Sequence, residues 1–267
     1  MTELPRTAAL PMYDADRAAV QAWWQGLAAA LRAEGIDGAV PELDWPRDLD
    51  AHWRNPNLLL SQACGYPLVA RLAGVVQVIG AFRYNAEGCA GSDYRSEIGV
   101  RDDDPGEHLE DFRGRTAVCN DRNSYSGFHA LRARVEPLAQ DGPFFARWVE
   151  SGAHRASIEL VRDGAADIAA IDCITLAGLR RQAPQLLSGL RLIGSTAQAP
   201  GLPLITAAAT TPDELQRIRR ALRAACATPS LAQVRERLFI DGFEAVDASA
   251  WRSIADLRRC PDAPRQP

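Results

Sequence analysis

Short apolar runs alternate with longer amphipathic stretches from end to end of this chain, and that alternation restricts the fold more than any other feature. Residues 7–10, 58–61, 75–82, 96–101, 116–119, 166–171, 190–194 and 204–207 are apolar or β-branched runs that read as strands. Between them, apolar side chains recur at helical spacing. From Asp14 or Asp16 to Glu34, for instance, Val20, Trp23, Trp24, Leu27, Ala30 and Leu31 make one buried side. Further helices are expected over 48–54, 126–139, 143–150, 155–162, 173–182, 211–227, 230–238 and 248–259. The firmest start signal is Thr211-Pro-Asp-Glu214, with Thr as cap, Pro at the first helical position and Glu at the third. Strands that alternate with helices predict an α/β protein with mostly parallel sheets.

With 267 residues the chain has room for one large or two modest domains. Composition breaks near 102–106 and 199–203. These predict a middle domain, 102–198, inserted into one built from 1–101 and 199–267, so that the chain crosses between them twice. The net charge of −4 gives no basic field for nucleic acid. Every basic residue is Arg, which excludes Schiff-base and P-loop lysine chemistry. No apolar run is long enough for a transmembrane helix, so membrane insertion is not expected. The first residues lack a basic stretch followed by a long apolar one. As written, the chain therefore reads as cytoplasmic, or as periplasmic if a leader has been removed. The six Cys (64, 89, 119, 173, 226, 260) form no CxxC pair and no Cys/His cluster at zinc spacing, so neither a metal nor a cofactor is expected. Cys119 and Cys173 read as inert core thiols. Cys64 and Cys89 flank loop glycines and are the candidate disulfide pair.

The richest chemistry lies where the strand 116–119 leads into Asn123-Ser124-Tyr125-Ser126-Gly127 and then a helix. At such a turn, backbone N–H groups and the helix dipole face an anion, and a Gly lets the backbone come close. The plain alternative is a turn whose serines only cap the helix. In open parallel α/β sheets ligands bind beyond the carboxyl ends of the strands. That rule collects Tyr13, the 62–66 turn with Tyr66, the 123–127 loop and Asp172–Thr175, with His154 opening a helix toward them. Asp172 and His154 each have a simpler reading as helix caps.

Four segments resemble the phosphate/phosphite/phosphonate substrate-binding proteins of ABC transporters, a family of type II periplasmic binding proteins. Leu58-Leu-Leu-Ser-Gln-Ala-Cys-Gly-Tyr-Pro-Leu68 is similar to the first-domain ligand turn. Asp93-Tyr-Arg-Ser-Glu-Ile-Gly-Val-Arg101 resembles the tyrosine-led strand that crosses to the second domain. Residues 112–127 resemble the strand, serine loop and helix start. Residues 151–172 resemble the histidine helix and the strand that follows it. The resemblance implies a two-domain fold, each domain a mostly parallel sheet flanked by helices, closing by hinge motion on a small oxyanion in an interdomain cleft. It further implies that Ser124, Tyr125, Ser126 and Gly127 bind the anion's oxygens and that His154 adds a hydrogen bond or an imidazolium charge. Tyr66 and Tyr94 would close over the ligand from the first domain, and Asp172 would recognise its far end. An ABC permease would be the partner. Tyr125 stands where the family often has a smaller hydroxyl residue, and Gly194-Ser-Thr-Ala-Gln198 supplies no carboxylate. Both features argue against an aminoalkylphosphonate.

A serine hydrolase built on Ser126, His154 and Asp172 would need a G-x-S-x-G elbow, and Asn-Ser-Tyr-Ser-Gly lacks its first glycine. A Cys119–His154 pair would need a cysteine outside the strand. The expectation is thus a non-catalytic binder of phosphate, phosphite or phosphonate. The alternative is a cytosolic sensor or enzyme of the same fold, acting on a phosphorylated or carboxylated metabolite.

Overall fold

The computed structural model describes residues 5–36, 42–139 and 142–256. In chain order these form β1 (Thr7–Ala9), α1 (Arg17–Ala33), α2 (Leu49–Trp53), β2 (Leu58–Gln62), α3 (Gly65–Ala70) and β3 (Val76–Tyr84). There follow β4 (Asp93–Tyr94), β5 (Ser96–Arg101), β6 (Thr116–Cys119), α4 (Ala130–Val135), β7 (Arg147–Glu150) and α5 (His154–Arg162). Next come β8 (Ile168–Asp172), α6 (Cys173–Gln182), β9 (Leu190–Ser195), β10 (Ala199–Pro200) and β11 (Pro203–Ala207). The last elements are α7 (Pro212–Ala227), α8 (Ala232–Arg237), β12 (Ile240–Glu244) and α9 (Arg252–Asp256).

The chain divides into two units. Residues up to Asp93 and Pro200–Arg252 make the first, and the second is built on Tyr94–Ala199. The crossing expected after Arg101 therefore falls eight residues earlier, after Asp93. The reason is that β5 bonds to β8 and β9 inside the second unit's sheet.

The first unit's sheet runs β1-β2-β11-β3-β12 and the second's β7-β6-β8-β5-β9. Within these two sheets β1–β2, β6–β7 and β6–β8 are the parallel pairs among the described residues. β11 lies antiparallel to β2 and β3, β12 to β3, and β5 to β8 and β9. The α/β architecture stands, but the sheets are mixed rather than mostly parallel. Continuous apolar runs report burial on both faces and carry no information on strand direction.

In the first unit α1 is held at its start by Asp16, whose carboxylate accepts from the Ala19 N–H at 3.0 Å and also takes Arg237. Trp23 and Trp24 are 1% and 0% exposed and pack with Leu27, Leu31, Phe82 and Ile218. The second sheet is covered on both faces. Ile98, Phe112, Leu131 and Phe145 belong to one apolar cluster; Val118, Ile158, Val161 and Ile171 belong to the other. Sheets buried in this way leave only strand ends and the turns beyond them for chemistry.

Two helices expected over 143–150 and 126–139 differ in the structure. Residues 147–150 are the edge strand β7, parallel to β6, with Trp148 and Val149 supplying aromatic and β-branched surface that suits a pleated edge. The second begins as a π turn over Tyr125–His129 before α4. β12 was not expected; it follows Phe239, whose φ of 58° reverses the chain where no glycine marks a turn. Of the helix expected over 248–259, residues 248–251 form a 3-10 turn and α9 ends at Asp256; the remainder lies outside the described residues. Cys64 and Cys89 are thiols, so the candidate disulfide is not formed.

Candidate functional site

Strand β6 delivers the chain to Asn120 just beyond its carboxyl end, and Ser124 then caps the π turn. Its Oγ accepts the Gly127 N–H at 3.2 Å, while its carbonyl accepts from both Phe128 (3.3 Å) and His129 (3.2 Å). The bond from His129 spans five residues and widens the turn, a geometry that recurs at functional positions. Within this first turn the Gly127 N–H is taken by Ser124 Oγ and the Phe128 N–H by the Ser124 carbonyl, whereas the Ser126 N–H has no carbonyl within the helix to bond. Ser124 Oγ stands 3.4 Å from Ser126 Oγ, and Ser126 Oγ stands 3.0 Å from His154 Nε2. The two serines and the histidine thus form a continuous chain of polar groups at the opening of a helical turn.

The turn is fixed from below. Ser96, the first residue of β5 and 1% exposed, donates its hydroxyl to the Ser126 carbonyl at 3.0 Å. The Ser96 N–H goes to Thr196 Oγ1 at 3.0 Å. Gly127 is needed for space: a Cβ there would lie 1.9 Å from Asn120 Oδ1 and 3.2 Å from His154 Cε1. Sequence reasoning missed Ser96 and Asn120. Ser96 read as an ordinary strand residue, and Asn120 as a turn former.

His154 is the first residue of α5, whose cap position is Ala153, so the imidazole does not serve as a cap there. Burial lowers its pKa to about 4. At neutral pH the ring is therefore an uncharged hydrogen-bonding group. His129, in the same π turn, is lowered to about 3 by burial and by the charge of Arg132. The unfolded chain protonates both rings near 6.5, whereas the folded chain resists until far more acid conditions. Stability present above 6.5 is accordingly lost as the pH falls toward 4. We expect the urea midpoint to be lower at about pH 5 than at about pH 7.5. A midpoint unchanged over that interval would contradict the burial of these rings.

The remaining expected residues divide between the units. Tyr125 is 7% exposed, and its ring centroid lies 6.3 Å from that of Tyr94, which is 2% exposed. Tyr94 was expected to reach over from the first domain; it belongs instead to the second unit, where it supports Tyr125. Asp172 ends β8, and its Oδ1 accepts the N–H groups of Ile174 (2.8 Å) and Thr175 (3.0 Å), so that oxygen caps α6. Tyr13 and Tyr66 are in the first unit. Tyr13 packs edge-on to Tyr84 at 5.4 Å beside a cavity of about 20 Å³, and Tyr66 lies in the first turn of α3, partly buried. The second unit thus brings together Ser124, Tyr125, Ser126, Gly127, His154 and, behind them, Tyr94.

Acid–base or nucleophilic chemistry has little to draw on here. Burial pushes the Cys119 thiol up to about 12, so it is not a thiolate at physiological pH. Among the described residues, no group of His, Cys, Asp and Glu could hold a metal ion, and no helix is long and apolar enough to cross a membrane.

A family model described as the periplasmic substrate-binding protein of phosphonate ABC transporters matches residues 46–251. No curated protein matches the chain. Among solved structures, PhnD1 from Prochlorococcus marinus in complex with methylphosphonate is 14% identical with a TM-score of 0.76, covering 96% of this chain and 97% of that one. A binding-protein component of an ABC phosphonate transporter from Pseudomonas aeruginosa is 16% identical with a TM-score of 0.76, covering 96% and 86%. XAC2383 from Xanthomonas citri, bound to chloride, is 16% identical with a TM-score of 0.72, covering 94% and 95%. At these identities the structural likeness is one of fold, and that fold is of the type II periplasmic-binding-protein kind.

Proposed function

This chain belongs to the phosphonate-binding periplasmic substrate-binding proteins of ABC transporters, and from that premise we propose that its π turn holds the oxyanion end of a phosphonate or a related phosphate-like ligand. Proteins of this family bind a small ligand and work with a permease; they are not enzymes. The observation that carries the residue assignment is the chain Ser124 Oγ, Ser126 Oγ, His154 Nε2, with successive spacings of 3.4 and 3.0 Å at the opening of a helical turn. The serine hydroxyls and the Ser126 N–H would donate to the anion's oxygens, and hydrogen bonds to a charged acceptor are the strong ones. The neutral imidazole of His154 would orient the Ser126 hydroxyl. Ser96 and Tyr94 would hold the turn in place, so that little ordering remains to be done when the ligand arrives.

The ligand's other substituent is expected to be small and uncharged. Residues 194–198 include no carboxylate, and Asp172 Oδ1 is engaged in capping α6. Thermal denaturation with phosphate, phosphite, methylphosphonate and 2-aminoethylphosphonate tests this reading. Methylphosphonate should raise the midpoint, its stabilisation reaching about 2.7 kcal/mol at a hundredfold excess over Kd. The amino compound should raise it less. No shift with any of the four would reject the proposed ligand class.

A further inference from the structure

We propose that Thr196 is a positioning residue for the serine turn, holding it through Ser96 and tying it to the end of the stretch Tyr94–Ala199. Register brings the two residues together: Glu97 of β5 pairs with Ser195 of β9, so the next rung sets Ser96 opposite Thr196. In a regular antiparallel rung of this kind the two residues exchange both backbone bonds. One bond here is regular, with the Thr196 N–H donating to the Ser96 carbonyl at 2.9 Å. The other is not, because the Ser96 N–H donates to the Thr196 hydroxyl at 3.0 Å. That hydroxyl donates in turn to the Ala197 carbonyl at 3.3 Å. A side chain thus replaces a backbone acceptor where β9 ends, and only a residue with a hydroxyl at this position can do so.

Burial gives this rung its weight. Ser96 is 1% exposed and Thr196 6%, so water is not at hand as a replacement partner. Without the Thr196 hydroxyl the Ser96 N–H is buried and unbonded, and the backbone there must shift to find an acceptor. Ser96 passes the shift on, since its own hydroxyl donates to the Ser126 carbonyl at 3.0 Å. Ser126 Oγ stands 3.4 Å from Ser124 Oγ and 3.0 Å from His154 Nε2, so moving that residue disturbs the whole polar chain. The residues before Ser96 are anchored without Thr196. Tyr94 packs on Tyr125 at 6.3 Å, and the Arg95 carbonyl accepts the Cys173 N–H at 3.1 Å. Loss of the Thr196 hydroxyl therefore acts at Ser96 and the turn above it. What this implies for a ligand rests on the oxyanion reading of the turn; what it implies for the turn itself does not.

Amide hydrogen exchange at Gly127, whose N–H is held by Ser124 Oγ, reports the order of the turn in the free protein. Thr196→Val keeps the shape of the side chain and removes its hydroxyl; it should speed that exchange by about tenfold. Thr196→Ser should restore the native rate. Ser96→Ala keeps both bonds to Thr196 and cuts the link to Ser126, so it should speed the exchange as well. In the Ser96→Ala background, Thr196→Val should add nothing further, whereas a purely structural role would add its effect in both backgrounds. Calorimetry with methylphosphonate should show the same pattern, with affinity about fivefold or more weaker in Thr196→Val. The proposal is overturned if Gly127 exchanges at the native rate in Thr196→Val or in Ser96→Ala, if Thr196→Ser gives no rescue, or if the two effects add. Gly127 exchange that follows Thr196 as stated, in a chain that binds no methylphosphonate, would reject the ligand and uphold the positioning role.

Discussion

Ser126→Ala is expected to weaken methylphosphonate binding by about tenfold or more while leaving the denaturation midpoint of the free protein nearly unchanged. The Ser126 hydroxyl bonds outward, to His154 and toward Ser124, and carries no capping bond. Ser124→Ala should differ in kind. Its Oγ holds the Gly127 N–H, so the variant loses about 0.5–2 kcal/mol of stability as well as affinity. His154→Ala removes the partner that orients Ser126 and should resemble Ser126→Ala in affinity. Calorimetry gives the affinities and urea denaturation the stabilities. An affinity unchanged in both Ser126→Ala and His154→Ala would remove the anion from this turn. Equal stability losses for the two serine variants would mean that Ser124 is not the cap.

The second large effect is expected at Gly127. A methyl group there cannot coexist with Asn120 Oδ1 at 1.9 Å, and it presses on His154 Cε1 at 3.2 Å. Gly127→Ala should therefore cost about 1–3 kcal/mol, the usual range for overpacking, and should lower ligand affinity as the imidazole is moved off Ser126. Asn120 Oδ1 is buried without a hydrogen-bond partner. Asn120→Ala alone should thus be close to neutral, because an unsatisfied group is removed rather than a bond. The double variant should recover most of the stability but only part of the affinity, since the His154 contact persists. If Gly127→Ala proves as stable as the native chain, or if Asn120→Ala gives no recovery, the close packing of these two residues is wrong.

Much of this was legible in the residues, for identifiable reasons. The Ser124–Gly127 turn could be singled out because two hydroxyls and a glycine stand between an apolar run and a helical period, although serines in that place also serve as plain helix caps, as Ser124 does. The α1 face was legible because its tryptophans and leucines repeat at helical spacing. β7 was misread because Phe144, Phe145 and Trp148 also fit a helical period, and only pairing with β6 decides the matter. Ser96 and Asn120 were invisible because their roles depend on contacts with residues 30 and seven positions away. The placing of Tyr94 failed because the crossing falls inside a continuous β-prone stretch, where composition does not change.

The order of strands in the first sheet has a consequence for biosynthesis. β11 sits between β2 and β3, yet more than a hundred residues separate it from either in the chain. A nascent chain that has emerged only as far as β3 holds two halves of a sheet with no strand to join them, and α1 lacks the α7 residues it packs against. The second sheet takes all five of its strands from one uninterrupted stretch. On the ribosome, then, the portion bearing the serine turn can be finished while the portion that precedes it is still waiting for its centre.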